Sequence, residues 1–408
     1  MNALSDEANQ ERSRWDNETS DSAAWDARKV ASRLRKGGQL GEAIRFAEDC
    51  LKHWPTFEPI RNELAWSLYS RDLGPLEPET ADAGQRDTAK SSLERIQDLC
   101  AATPYDTFSA WPQATLKLAT IALGRWPLQA IKLLETLDPA QLSGQGTGEY
   151  PSLCTRWHLN VTKSLKELER WDDLLAACDT ALDGSKLRDQ DRPWVRRRWA
   201  IALHNLGRHE ESATILMGLR SEMRKWWLEA DLARALAGAG QPTKAMDACR
   251  RSLCFPGELS ARWETVFLLG QLAEAEDDIT LAHSHYSLAR HLRVQSGWPA
   301  HPELDAAAAR LGETGEPPLE FDLNDVRTGW QAAEDASRVS GVVKVVLPEG
   351  KSGFLTPDSG SEDLYFAMTR GASEPAPPVG THVTFRVIDG FDKKKNAASR
   401  KAIDLRVE

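Results

Sequence analysis

The residues of this 408-residue chain best suited to chemistry are cations set among aromatic side chains. Arg192, Arg196, Arg197 and Arg198 surround Trp194 and Trp199, and Arg224, Lys225, Trp226 and Trp227 repeat the mixture further along. Guanidinium groups beside indole rings suit an acidic peptide, or nucleic acid, through cation–π and charge contacts. A second cluster, Lys393, Lys394 and Lys395 followed by Arg400 and Lys401, is placed to lie along a phosphate backbone. Each cluster also has a plainer reading. All fifteen Trp precede residue 331, which suits packing between helices, and a run of three lysines can be a solvated turn.

Other chemistries lack their residues. Gly144, Gly146 and Gly148 follow no strand-like run and precede no Gly-Lys-Ser/Thr, so they read as a turn and not a phosphate loop. His283, His285 and His291 lack a His-Glu-x-x-His frame, and a spacing of two puts the first pair on different helix faces. Cys50, Cys100, Cys154, Cys178, Cys249 and Cys254 form no Cys-x-x-Cys pair, which points to isolated buried thiols in a reducing compartment. Asp172-Asp173 and Asp277-Asp278 read as helix starts. With no triad in view, no catalytic residue, cofactor or metal is expected, and the chain reads as noncatalytic.

Net charge is −10, unevenly spread. Residues 341–408 hold 10 Lys+Arg against 9 Asp+Glu, so residues 1–340 hold 41 against 52, or −11. An acidic body restricts any nucleic-acid contact to a local surface. The start of the chain lacks a basic stretch followed by an apolar one, and no apolar run is long enough to span a membrane. A cytoplasmic protein is expected.

The elements that must carry these residues are of two kinds. Residues 1–23 are polar and acidic and predict a frayed tail. Residues 24–312 repeat a helical frame, clearest at 38–55, where a turn is followed by Ala43, Ala47 and Cys50 and closed by Pro55. Its partner helix covers 27–36 with Val30, Ala31 and Leu34 inward. The frame recurs at Leu64-Ala65, at 113–137, at Val161-Thr162, at Ala200, at Ala233 and at Gly270, and Gly207 and Gly240 lie 33 apart. This pattern resembles the tetratricopeptide repeat, with its 34-residue period and small residues where paired helices meet. The resemblance implies an α-solenoid of about seven repeats whose first helices line a protein-binding groove. Trp194, Arg197, Ile201, Trp227 and Arg234 fall at positions facing that groove. The Lys and Asn clamp of peptide-binding members is not matched.

Residues 313–339 open with Gly and Pro, predict a linker, and regain a helical spacing over 325–337 through Val326, Trp330 and Ala333. Five short alternating runs over 340–408 predict a small β-barrel. Lys344, Gly353-Phe354-Leu355 and Tyr365 resemble the cold-shock domain, an OB-fold whose aromatics stack single-stranded bases. That resemblance implies Phe354 and Tyr365 as stackers, with Lys344, Lys351, Arg386 and the lysines at 393–395 as phosphate partners. It also shows departures: Val345 stands at a Trp position, Ser352 at a Phe position and Ala367 at a His position, which predicts weak binding. The expected protein is a noncatalytic adaptor. Its repeats hold a protein partner, and its barrel holds single-stranded RNA or DNA weakly. Such fusions resemble accessory proteins of bacterial conflict or defence operons. The alternative is a purely protein-binding scaffold.

Overall fold

The computed structural model describes residues 3–15, 20–142, 151–183, 187–220, 222–312, 323–368, 375–392 and 397–408. The chain divides into two compact units, Met1–Arg198 and Trp199–Glu408.

Helix pairs build the first unit: α2 (Asp21–Lys36) with α3 (Leu40–His53), α4 (Glu58–Leu68) with α5 (Ala83–Leu99), α6 (Trp111–Leu123) with α7 (Pro127–Glu135), and α8 (Leu153–Glu167) with α9 (Trp171–Leu182). The division falls inside α10 (Arg192–Asn205), whose second half pairs with α11 (His209–Leu219) in the second unit. There α12 (Trp226–Gly238) pairs with α13 (Pro242–Cys254), and α14 (Trp263–Ala275) with α15 (Ile279–Gln295).

Helix α2 shows why these residues fold this way. Ser20 caps it by accepting from the Ala23 N–H, satisfying a donor the helix itself cannot pair. Ala23, Ala24, Ala27, Val30, Ala31 and Leu34 are then buried at helical spacing, and of these Val30, Ala31 and Leu34 are the residues the sequence places inward. Burying Leu34 alone contributes roughly 1.5–3 kcal/mol, so Leu34→Asp would break the pairing with α3.

The turns between paired helices recur in one geometry. The N–H groups of Gln39, Arg170, Arg208, Gln241 and Asp278 return to the carbonyls of Leu34, Leu165, Leu203, Leu236 and Ala273 at 2.8–3.1 Å. Each closure crosses a residue of positive φ: Gly38, Glu169, Gly207, Gly240 and Asp277. The glycine periodicity of the sequence is thus a turn requirement, met without glycine at Glu169 and Asp277. Gly270 meets a different requirement, because an added Cβ would lie 2.7 Å from the Tyr286 ring.

The predicted frayed tail is corrected over most of its length. Residues Ala3–Trp15 form α1, which packs on α2 and α3 with Ala8 fully buried. Arg12 fixes it, pairing with Glu42 at 3.0 Å and Asp49 at 3.2 Å, with its guanidinium 5.2 Å from the Phe46 ring centroid. The composition of the segment hides this because its apolar residues are few and the partners of Arg12 lie on a different helix.

After α16 (Pro302–Arg310), α17 (Leu323–Ala336) packs against α13 and leads into the barrel. The strands are β1 (Val339–Val346), β2 (Ser352–Pro357), β3 (Leu364–Ala367), β4 (His382–Asp392) and β5 (Ala397–Val407). They close in the order β1-β2-β3-β5-β4, with β3 and β5 parallel and the other neighbours antiparallel. Val343, Leu355, Leu364, Phe366, Val383, Phe385 and Ala402 fill the interior. Gly353 has no room for a side chain, since a Cβ would press on the Val345 carbonyl and lie 2.8 Å from the Phe366 ring. The Gly-Phe-Leu run therefore has its glycine for packing, and that packing turns Phe354 outward.

Candidate nucleic-acid interface and partner-binding residues

One outer row of the barrel gathers what the sequence proposes. Val345, Phe354, Tyr365 and Lys401 are successive cross-strand partners on β1, β2, β3 and β5. On β2, β3 and β5 alternation puts the neighbours Leu355, Phe366 and Ala402 inside, and on β1 a bulge between Val343 and Val345 leaves Val343 inside and Val345 out, so this row faces out. Phe354 is 39% exposed and Val345 42% exposed. The Phe354 and Tyr365 rings meet edge to face at 5.7 Å between centroids. An exposed Phe on a barrel with a filled core is not needed for packing, and its face is available to a planar ligand.

The cations around this row differ in their engagement. Lys351 stands exposed where the β1–β2 turn meets β2, and Arg400 is exposed beside half-buried Lys401. Lys344 is paired with Asp363 at 2.6 Å, and Asp363 also accepts from the Thr356 hydroxyl at 2.6 Å. Those hydrogen bonds, from Lys344 first and then Thr356, hold the Asp363 carboxyl below its usual range. Lys344 therefore reaches a phosphate only by leaving a carboxylate. Ala367 lies opposite Ser352 on the same face, so two of the departures from the cold-shock pattern sit together. Lys393, Lys394 and Lys395 lie outside the described residues.

Arg386 is corrected. It lies on β4 but turns toward α17, where it pairs with Glu334 and lies 3.6 Å from Asp404. Glu334 is 1% exposed and Arg386 16% at their side chains, which removes Arg386 from the phosphate-facing set. Around them a buried ionic cluster joins the barrel to the helices of the second unit. Arg338 donates to the Thr384 hydroxyl at 3.1 Å and carbonyl at 2.9 Å, and to Asp404 at 3.0 Å. Glu229 accepts from Arg220 at 2.7 Å and Arg251 at 3.0 Å. Burial raises Glu334 above the ordinary carboxylate range in spite of Arg386. Burial pushes Asp404 the same way, but Arg386, Arg224 and Arg338 outweigh it and hold that carboxyl low.

The proposed groove residues are placed unequally. In the first unit Trp194 is 40% exposed and Arg197 half-buried. In the second, Ile201, Trp227 and Arg234 are half-buried; Trp227 packs on the repeat core, and Arg234 is tied to Asp231 at 2.7 Å and Glu264 at 3.3 Å. Arg198 is interior. It donates to the Leu159 carbonyl at 3.1 Å and the Thr162 hydroxyl at 2.9 Å, and burial lowers its pKa to about 10. It braces α8 and does not offer a partner contact.

His285 has a role that sequence reasoning missed. Its Nε2 accepts from the Trp330 indole at 2.9 Å while Nδ1 faces the Leu281 carbonyl at 2.8 Å, which fixes a neutral imidazole as the anchor of α17 on α15. Burial disfavours its charged form and lowers its pKa. The signal present was Trp330 itself, a large residue at helical spacing in a polar segment. The cysteines are buried apart from half-buried Cys254, and burial raises Cys178 and Cys249 to about 12, so these thiols are unreactive.

No protein-family model matches the sequence, and no curated protein is similar to it. Among solved structures, a tetratricopeptide repeat protein from Parabacteroides merdae aligns at 14% identity and a TM-score of 0.36, over 71% of this chain and 99% of its own. The TPR2AB domain of yeast Sti1, in its complex with pHSP90, aligns at 13% identity and a TM-score of 0.26, over 72% of this chain and all of its own. The helix pairs, their repeated turns and the barrel order describe the architecture directly. The chain is a tetratricopeptide-like repeat protein ending in an OB-like barrel. Among the described residues no helix is long and apolar enough to cross a membrane.

Proposed function

We propose that this protein is a noncatalytic scaffold. Its repeats hold a partner protein through Trp194, Arg197, Ile201, Trp227 and Arg234, and the outer face of its cold-shock-like barrel holds single-stranded nucleic acid. The observation that carries the second half is the outward pair Phe354 and Tyr365 on β2 and β3, flanked by Lys351 and Lys401. Strands 2 and 3 are the face on which OB barrels take oligonucleotides. Each base stacked on an aromatic contributes about 1–3 kcal/mol, so two stackers with Val345 in the third position support weak binding. The pairing of repeats with such a barrel also suits an accessory protein of a bacterial defence or conflict system.

The test uses the full chain, because Arg338 and Arg386 tie the barrel to the helices. Fluorescence anisotropy with labelled single-stranded RNA and DNA should give saturable binding that weakens with salt, and Phe354→Ala with Tyr365→Ala should lose it. Salt-insensitive binding, or a double variant that binds like the parent, overturns the nucleic-acid half. For the repeats, Trp194→Ala with Arg197→Glu should abolish recovery of a copurifying partner at unchanged helicity; unchanged recovery removes these residues. A purely protein-binding reading is favoured by one observation, the engagement of Lys344 and Arg386 with carboxylates. It predicts that the Phe354 patch contacts protein instead.

A further inference from the structure

A cleft of about 610 Å³, within the range of ligand-binding clefts, lies in the first unit between the second helices α5 and α7, with α6 beneath it. Its floor is aliphatic: Leu118, Ile121 and Ala122 are buried at the base, and Leu133 forms part of the α7 wall. The tetratricopeptide resemblance assigns partner binding to first helices, so this cleft is a separate surface.

The rim carries charge of one dominant sign. Arg86 and Lys90 stand on α5 and Lys132 on α7, against a single lining anion, Asp87. Three cations to one anion make a positive mouth within a segment, residues 1–340, that carries −11 overall (41 against 52). Lys90 and Lys132 are exposed. Arg86 crosses the cleft instead, with its guanidinium 4.6 Å from the centroid of the Trp126 ring at the start of α7. Its Nη1 donates to the Ala81 carbonyl and one face of the guanidinium is covered by indole, which together hold its other N–H groups in place for an incoming anion.

We infer that the cleft binds an acidic segment of a partner protein, which seats an apolar side chain over Ile121 and sets carboxylates against Lys90, Lys132 and Arg86. This rests on the reading of the repeats as a protein-binding scaffold. A peptide fits better than nucleic acid on two counts. The floor is saturated carbon, and Trp126, the one aromatic of the lining, stands at the rim with a ring face taken by Arg86. Three cations also neutralise too few phosphates to hold a strand by charge alone.

The experiment measures fluorescence anisotropy of a labelled synthetic peptide, one leucine set between glutamates, with the full chain. Saturable binding that weakens with salt is expected. Lys90→Glu with Lys132→Glu should weaken it at least about tenfold, as should serine in place of the peptide leucine. Both lysines are exposed, so the double variant should keep its circular dichroism and melting temperature; Lys90→Gln with Lys132→Gln serves as a second variant should it unfold. Absence of saturable binding by the parent, or equal binding by a folded variant, overturns the inference. So does a single-stranded oligonucleotide that displaces the peptide and binds tighter. If Trp194→Ala with Arg197→Glu loses the copurifying partner while the cleft variant still binds the peptide, the cleft inference fails and the scaffold reading stands.

Discussion

The two sides of the barrel use the same pleated backbone to opposite ends. On β1, β2 and β3 the outward residues Val345, Phe354 and Tyr365 remain exposed or half-exposed, with lysines nearby. On β4 and β5 the outward residues Arg386 and Asp404 are turned against α17 with Glu334, and Arg338 joins them, 2% exposed at its side chain. A charge is expensive to bury and is retained only where its partners are fixed. Apolar rings are inexpensive to bury, and here they are left out. The ionic side is therefore the structural attachment of the barrel, and the aromatic side is its free surface.

Arg338→Ala should have the largest effect on that contrast. It takes from Asp404 one of three guanidinium partners, the others being Arg224 and Arg386, and from the Thr384 carbonyl its side-chain donor, a loss of charged hydrogen bonds worth about 3 kcal/mol. Chemical denaturation should show that loss together with earlier proteolysis near residue 338. A loss under 1 kcal/mol would mean the barrel is not held by its charges.

Trp330→Phe comes next. Leaving Nε2 of buried His285 without its donor costs about 1–3 kcal/mol, read as a lower melting temperature, and hydrogen exchange should increase in α17.

Acid should act at the same anchor. Burial lowers the folded-state pKa of His285 below its ordinary 6.5, with the Leu281 carbonyl and Asp278 opposing and Arg250 adding to the shift. The unfolded chain then takes up the proton first. The contribution of His285 is complete above 6.5 and is lost as pH falls through that value toward the lower folded one. Melting curves between pH 7 and pH 5 should show this decline, and His285→Gln should reduce its slope.

Smaller still, Asp277→Gly should stabilise by about 1 kcal/mol by relieving a left-handed non-glycine turn, while Gly240→Ala should cost about as much. The smallest change belongs to the free surface. Phe354→Ala should shift stability by within about 0.5 kcal/mol while weakening oligonucleotide binding. A large stability loss there would erase the distinction between the two sides.

Much of the fold was legible because its signals are local. Val30, Ala31 and Leu34 declare the buried face of α2, and Gly207 and Gly240 mark turns whose φ is positive. The site was legible in part: Phe354 emerges outward as the strand alternation requires, whereas Arg386 looked like a phosphate partner until Glu334 and Asp404 were placed beside it. Helix α1 was hidden because Arg12 finds Glu42 and Asp49 across a turn and a whole helix. The cleft was hidden too, since Arg86 meets Trp126 only through the packing of three helices.

Sequence alone determined the repeated helix pairs, their glycine turns and the alternation of the barrel strands, because periodicity and φ preference act over a few residues. Tertiary structure alone decided which charges are buried, which aromatics remain free and where His285 is used. Those outcomes depend on desolvation and pairing between groups far apart in the chain, and no local pattern records them.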